Sequence, residues 1–350
     1  MPLSRRGLLL VGALAPLAAC AGAPQWRPIG PDAEPLALTT LAGGLLVGLA
    51  GSRGPALQGP DGAIGVRTSS DYGREARWVG LASWEGRIVG IGMTRGGAHG
   101  NARWSVFAGT ADAGVAEREQ PFDVFHGYGA GQLVAASFVA GRSVLVGSWQ
   151  SAAAGLDVAL WRTDGDRWSR RPSTGTVLAA TSRSLPQAHA AAGGARLMIV
   201  GQVIELAPLR TRAVAWTCTD PDADWTRIDL PGAGTTTVAE SVAAHPDGWL
   251  IGGRSDARLT AWTVAPDLSV RTVPVPQVAA ADRTRVAASA DGALLIVATD
   301  GNRIEALRGR PGAWERTSPP GSAPVAAAWA TDPAVITADG PNPRRLFALS

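Results

Sequence analysis

Hydrophobic residues in this chain fall in short runs of strand length, parted by turn residues, and one arrangement recurs seven times. The clearest copy is Val242-Ala-Ala-His-Pro-Asp-Gly-Trp-Leu-Ile-Gly-Gly253. It has a run rich in Ala and Val, a turn, and an apolar run that closes on a small residue. The other copies span Leu41–Gly48, Ser83–Gly90, Phe138–Gly147, Ala191–Gly201, Ala287–Ala298 and Ala326–Thr337. Gly-Gly, Glu-Gly, Ala-Gly and Asp-Gly pairs supply the positive φ of tight hairpin turns. Flanking runs of about 4 to 8 residues suit strands, and no stretch of helical period follows residue 20. The closing small residues stand at 48, 90, 147, 201, 252, 298 and 337. An all-strand repeat of roughly 40 to 50 residues is the period of a β-propeller blade.

Each copy carries a second half. Val158-Ala-Leu-Trp161 is followed by Arg167-Trp-Ser-Arg170, Ala213-Val-Ala-Trp216 by Asp224-Trp-Thr-Arg-Ile228, and Leu259-Thr-Ala-Trp262 by Val270-Arg-Thr-Val273. In the sixth copy Ile304–Leu307 precedes Ala313–Arg316, and in the first Ile64–Arg67 precedes Arg77–Val79. The pattern predicts an all-β fold, a seven-bladed β-propeller of four-stranded blades, with strands a to d from the axis outward. Small residues of strand a fit the crowded axis, and the tryptophans fit between blades, where a large flat side chain buries most area. The seventh copy ends at strand c, Arg344–Leu349, and lacks a strand d. Gln25-Trp-Arg-Pro-Ile29 matches the Asp-Trp-Thr-Arg-Ile pattern of blade four, so an N-terminal strand, Gln25–Ile29, is expected to complete the last blade. Such a closure removes an exposed sheet edge.

Residues 1–19 read as an export signal, with Arg5 and Arg6 before an apolar run too short to span a bilayer. Leu17-Ala-Ala-Cys20 resembles a bacterial lipobox, which implies cleavage before Cys20, lipidation of its sulfur (palmitate among the acyl groups) and a membrane-bound N-terminus. Ser4-Arg-Arg-Gly-Leu-Leu9 resembles a twin-arginine export signal. The expected organisation is a signal peptide over 1–19, a lipidated tether with the closing strand over 20–35, and the propeller over 36–350. The protein is then exported and lipid-anchored to the bacterial cell envelope, on the outer face of the cytoplasmic membrane or in the periplasm, as a monomer.

Charge narrows the partners. The formal net charge is +3, and the signal carries two of the arginines. What remains is close to neutral and gives no reason to expect nucleic acid. The chain contains no lysine, which excludes Schiff-base chemistry. Of the two cysteines, Cys20 is assigned to lipid, so Cys218 has no disulfide partner and reads as a small core residue beside Trp216.

Ser69-Ser-Asp-Tyr-Gly73, Trp161-Arg-Thr-Asp-Gly-Asp-Arg-Trp168 and Thr217-Cys-Thr-Asp-Pro-Asp-Ala-Asp-Trp225 resemble the Asp-box (BNR) turns of sialidase-like propellers. The resemblance implies that these are structural turns between strands c and d, on the face away from the active site, with Tyr72 on that face. Sialidase-like enzymes also use three arginines, a tyrosine–glutamate pair and an acidic residue, and no Arg-Ile-Pro segment of that family occurs here. Asp220, Asp222 and Asp224 alternate as in a weak calcium loop, but the glycine and the later glutamate of such loops are missing. No two of His99, His126, His189 and His245 stand at metal-ligand spacing, so neither a metal nor a cofactor is expected.

The other face carries the blade connections. There His99, Asp123, His126 and Tyr128, with Arg183 and Gln187 from the next connection, form the candidate ligand-binding set over the channel mouth. No catalytic set is assigned. The expected function is an envelope-anchored propeller that binds a protein or glycan partner, or scaffolds an envelope complex. The alternative is a sialidase-like or other glycan-active hydrolase at the channel mouth, and a third reading holds a cofactor over the channel.

Overall fold

A computed structural model describes residues 24–30, 32–97, 100–222, 225–279, 283–300 and 303–350. His99 and Asp224 lie outside these residues, as do the export signal and Cys20. The described strands form seven sheets around one axis, the β-propeller that the repeat predicts. The inner strands a are Glu34–Leu41, Arg77–Trp84, Ala130–Val139, Ser184–Ala192, Thr237–His245, Thr284–Ala288 and Ala323–Trp329. Each pairs antiparallel with strand b of its own blade. Antiparallel succession places the a–b and c–d turns on one face, and the b–c turns and blade connections on the other. The second of these is called the connection face below.

The last blade is closed by the N-terminal segment. Trp26–Pro28 pairs antiparallel with Asn342–Leu349, in a register that sets Trp26 opposite Leu349 and Pro28 opposite Phe347. Gln25 and Ile29 extend the ladder through backbone bonds to Ser350 and Leu346. The Trp26 indole N–H donates to Thr317 Oγ1 of blade six at 3.0 Å, so the closing strand also grips its neighbour.

Buried apolar residues divide into clusters shared by adjacent blades. Val89 and Ile91 of blade two pack with Leu145 and Trp161 of blade three, and Val158 and Leu160 of blade three with Ile199 and Trp216 of blade four. Met198 and Val200 of blade four pack with Ile251 and Trp262 of blade five. Trp161, Trp216 and Trp262 have no more than 1% of their surface exposed. A buried indole N–H needs an acceptor, and each finds a carbonyl of the connection leading into its blade. The acceptors are Val124 at 2.7 Å, Val177 at 3.2 Å and Pro231 at 2.8 Å.

The recurring small residue that closes the apolar run lies midway along strand b, and its place has a structural cause. Strand a carries a register shift in six blades, between Pro35/Ala37, Trp78/Gly80, Leu133/Ala135, Ala188/Ala190, Ala239/Ser241 and Pro324/Ala326. In blades one, three, four and five the residue beside the shift pairs with Gly48, Gly147, Gly201 or Gly252. Such a bulge brings the backbones together. A methyl group on Gly147 would overlap the Gln132 carbonyl, and one on Gly201 the Gln187 carbonyl.

Blade one corrects the sequence reading. Its strands c and d are Gly54–Gly59 and Gly62–Ile64, not Ile64–Arg67 and Arg77–Val79. Val66–Arg67 leaves the blade and pairs in parallel with Val115–Ala116, as a fifth strand of blade two. Arg77–Val79 opens strand a of blade two, because Trp78 is buried there rather than on an outer strand. Its indole donates to Ala56 O at 2.9 Å and meets Phe107 edge-on, with ring centroids 4.9 Å apart.

The segment Ser69–Gly73 is also displaced from its expected place. It lies in the connection between blades one and two, on the connection face, and runs into the short helix α1, Asp71–Arg74, capped by Ser70. Glu117 holds it by accepting from Ser69 N at 2.8 Å, Ser70 N at 2.9 Å and Ser70 Oγ at 2.6 Å. These bonds outweigh the opposing effect of burial, the largest single influence, and hold the Glu117 carboxyl below the usual glutamate range. A carboxyl with a lowered folded pKa contributes stability above its unfolded pKa, and loses it as pH falls through the folded value. Glu117→Gln is therefore expected to cost about 1–2 kcal/mol at neutral pH. The gap to wild type should shrink below about pH 4.3, the ordinary glutamate value. Urea denaturation at several pH values checks this; a gap independent of pH would refute it.

Asp220 and Asp222 serve as ion-pair acceptors. Arg142 reaches Asp220 at 2.6 Å, Arg171 reaches Asp222 at 2.7 Å, and Arg162 also pairs with Asp222. These arginines come from blade three, so the turn cross-links blades three and four, and its carboxylates are matched by guanidiniums. Among the described residues no group of three His, Cys, Asp or Glu is placed to hold a metal ion. Cys218 is buried at the end of its strand, and burial, mainly, pushes its thiol up to about 12, which leaves it inert.

Candidate functional site

Of the six residues selected from sequence, the five that are described do not come together in one site. His126 and Tyr128 line a cavity of about 500 Å³ at the junction of blades two and three, with Arg103, Trp104 and Phe122. Gln187 lines a separate cavity of about 480 Å³ between blades three and four, with His189 and Leu156. There its Oε1 accepts from Gln202 Nε2 at 2.6 Å. Asp123 and Arg183 are exposed and line neither cavity. His99 is outside the described residues. The cause is the width of the ring, since connections between outer and inner strands cross the rim before they reach the axis.

The blade two–three cavity is built on a pinned connection. Gln120 accepts from Trp168 N at 2.8 Å and donates to Asp166 O at 2.9 Å, while Val124 O takes the Trp161 indole. Between them the short helix α2, Phe122–Phe125, points Phe125 into the core and leaves Phe122 outside. His126 follows. Its Nε2 accepts from Trp104 N at 2.8 Å, so the proton of the neutral ring sits on Nδ1. Burial, then the Arg103 charge, hold its pKa below the ordinary histidine value. The His126 ring stacks on Phe122, with centroids 5.0 Å apart.

Arg103 completes the wall. Its guanidinium lies 5.4 Å from the Phe122 ring centroid and 5.8 Å from that of Tyr72, a cation held between two aromatic faces. Its Nε is buried with no hydrogen-bond partner among the described residues. Tyr72 thus belongs to this face, against Arg103 and outside the cavity lining, not to the opposite face where the Asp-box resemblance placed it. Among the residues lining the cavity two large side chains stand in solvent, Tyr128 at 98% exposure and Phe122 at 58%.

The channel mouth proper is lined by other residues. A cavity of about 430 Å³ at the connection-face end of the strands a is walled by Leu36, Leu38, Val134, Ala190, Val325 and neighbours, with Arg77, Arg285 and Arg344. It continues into a second space toward the a–b turns, since Leu38, Leu81, Ala136 and Ala191 line both. The sequence reading missed these arginines and Arg103. One signal was available: Arg285 is the second residue of an inner strand, Thr284–Ala288, whose other members are small or apolar.

No protein-family model matches this chain, and no curated protein matches it in sequence. Solved structures do match in shape. The β-propeller domain of Myceliophteria thermophila Cps50 (Swd1) aligns with a TM-score of 0.54 at 10% identity, over 92% of this chain and 99% of that one. YCF48 bound to a D1 peptide aligns with a TM-score of 0.54 at 9% identity, over 93% of this chain and 97% of that one. The extracellular domain of a putative one-component system from B. thetaiotaomicron gives 0.52 at 10% identity; the match covers 93% of this chain and 39% of that one. At such identities the likeness is one of fold. Among the described residues no helix is long and apolar enough to cross a membrane.

Proposed function

We propose that this protein is an exported, lipid-anchored propeller of the bacterial envelope that binds a protein partner through the connection face, at the junction of blades two and three. The observation that carries this reading is the pair of exposed aromatic side chains, Phe122 and Tyr128, at the rim of the cavity lined by Arg103 and His126. Exposed aromatics beside an arginine are the residue types that dominate protein interfaces, and the connection that bears them is fixed by Gln120 and Trp161. A rigid aromatic surface loses little entropy on binding. YCF48, a propeller of similar shape, is bound to a peptide, which is a precedent for the class of partner only. Export and anchoring rest on the lipobox-like Leu17-Ala-Ala-Cys20.

Hydrolysis of glycans gains no support from the geometry. Tyr128 lies in one cavity and the channel arginines in another, so the tyrosine and the three arginines do not share a site.

The reading predicts a defined partner. A photoreactive phenylalanine analogue at position 130, near the rim, should yield a discrete crosslinked species in intact cells. The Phe122→Ala/Tyr128→Ala double variant should reduce that species at least tenfold while costing no more than about 1–2 kcal/mol of stability, from the contacts of Phe122 with His126 and Arg103. Cys20→Ser, which removes the lipid-bearing sulfur, should reduce it as well. Recovery of the same species at undiminished yield from the double variant would refute the assignment.

A further inference from the structure

The channel mouth gathers positive charge in a walled space. Arg77 pairs with Glu34 at 2.5 Å, and Arg254 with Glu240 at 3.0 Å. Arg285 and Arg344 are different: among the described residues neither comes within ion-pair distance of a carboxylate. Arg285 Nε donates to Val325 O at 2.7 Å and its Nη1 to Thr284 O at 2.8 Å. Arg344 Nη1 makes only a long contact, 3.4 Å, with Leu36 O.

Both guanidiniums are drawn from water and crowded by others. Burial is the main influence lowering the pKa of each. Arg283 adds to it at Arg285, and Arg77 and Arg283 add to it at Arg344; Glu240 and Glu34 oppose it. Cationic groups outnumber carboxylates around one opening, and the walls between them are aliphatic. An unpaired charge removed from water is costly, whereas a guanidinium facing a carboxylate or phosphate forms strong, oriented hydrogen bonds.

We propose that the channel mouth binds one small anionic group, a carboxylate or a phosphate, between Arg77, Arg285 and Arg344. Arg285 already donates to two backbone carbonyls, which fixes its plane before the anion arrives and lowers the cost of binding, while the weakly held Arg344 is left free to turn toward the anion. The aliphatic wall of Leu38, Ala190, Val325 and Ala326 receives the carbon skeleton that bears the group. The cavity of about 430 Å³ has room for a small organic acid or a phosphate ester. The proposal is independent of the partner surface, because Phe122 and Tyr128 line a different cavity.

Thermal unfolding and calorimetric titration of the purified full chain test it. Inorganic phosphate or acetate is added at constant ionic strength, with sodium chloride as the reference. A saturable rise in Tm is expected with at least one anion; a response to phosphate assigns a phosphate ester, and one to acetate a carboxylate. Arg285→Gln and Arg344→Gln should each weaken the response at least tenfold, while Tyr128→Ala leaves it unchanged. If Arg285→Gln does not fold, Arg344→Gln carries the comparison. No rise beyond the chloride reference, or equal responses in wild type and Arg344→Gln, would overturn the proposal.

Discussion

A chain lacking residues 24–30 is expected to lose about 3–5 kcal/mol of stability, from the contacts of one aromatic side chain and the uncovered apolar edge beneath it. The deleted segment supplies strand d of blade seven, the Trp26 indole bond to Thr317, and the cover over strand c, in which Phe347 and Leu349 are buried. Its removal leaves Asn342–Leu349 as an open edge, a template for pairing with another chain. The shortened protein should therefore unfold at lower denaturant and self-associate at high concentration. A synthetic peptide of residues 24–30 should restore the midpoint in a concentration-dependent way, because a ligand that binds only the folded state stabilises it by mass action. Urea denaturation with and without the peptide decides the matter. An unchanged midpoint after deletion would mean that the ring gains nothing from its closing strand.

Trp216→Ala should cost about 3–5 kcal/mol, the range for truncating a large buried aromatic. The indole is fully buried between blades three and four, among Val158, Leu160, Ile199 and Val214. Its N–H also ties strand c to Val177 in the connection from blade three. Trp216→Phe should cost less, since it keeps much of the packing and loses the hydrogen bond. Chemical denaturation of the three proteins gives the comparison, and a cost below about 1 kcal/mol for Trp216→Ala would contradict the view that this side chain cements two blades.

Much of the architecture was legible because two local signals recur in register. Turn glycines mark the hairpin between strands a and b, and a glycine marks the bulge that brings those strands together. Both signals hold in blade one, but neither marks strands c and d, and there the sequence pattern misleads. The Gly-Pro-Ala-Leu-Gln-Gly sequence of its strand c, Gly54–Gly59, looks like a loop, although Pro55, Leu57 and Gly59 alternate inward. Without that strand, the pattern sets the next tryptophan, Trp78, on an outer strand, and Ser69–Gly73 with it on the wrong face. The site was less legible. Tyr128 and His126 were selected because they sit in a connection, and the structure brings them to one cavity. Arg103 meets Tyr72 and Phe122 from the connections on either side of its blade, Arg285 meets Val325 of the next blade, and Arg344 meets Leu36 only through closure of the ring. Beyond the place of Arg285 in an inner strand of small and apolar residues, a regular strand pattern gives no hint of which arginine points along the axis and which points outward.

Pairing Trp26 with Leu349 has a kinetic meaning. The closing strand is among the first described segments to be synthesised, yet its partner is made almost a whole chain later. Until then Trp26 has no groove to enter, and the early blades can form only an incomplete arc. Ring closure is thus a long-range event, and folds governed by such contacts assemble slowly, because loop entropy must be overcome before the contact rewards it. An arc with two open ends presents sheet edges and uncovered inter-blade tryptophans, both prone to aggregation. The interval between making the first blade and capturing the last strand is the period in which this protein most needs protection by chaperones.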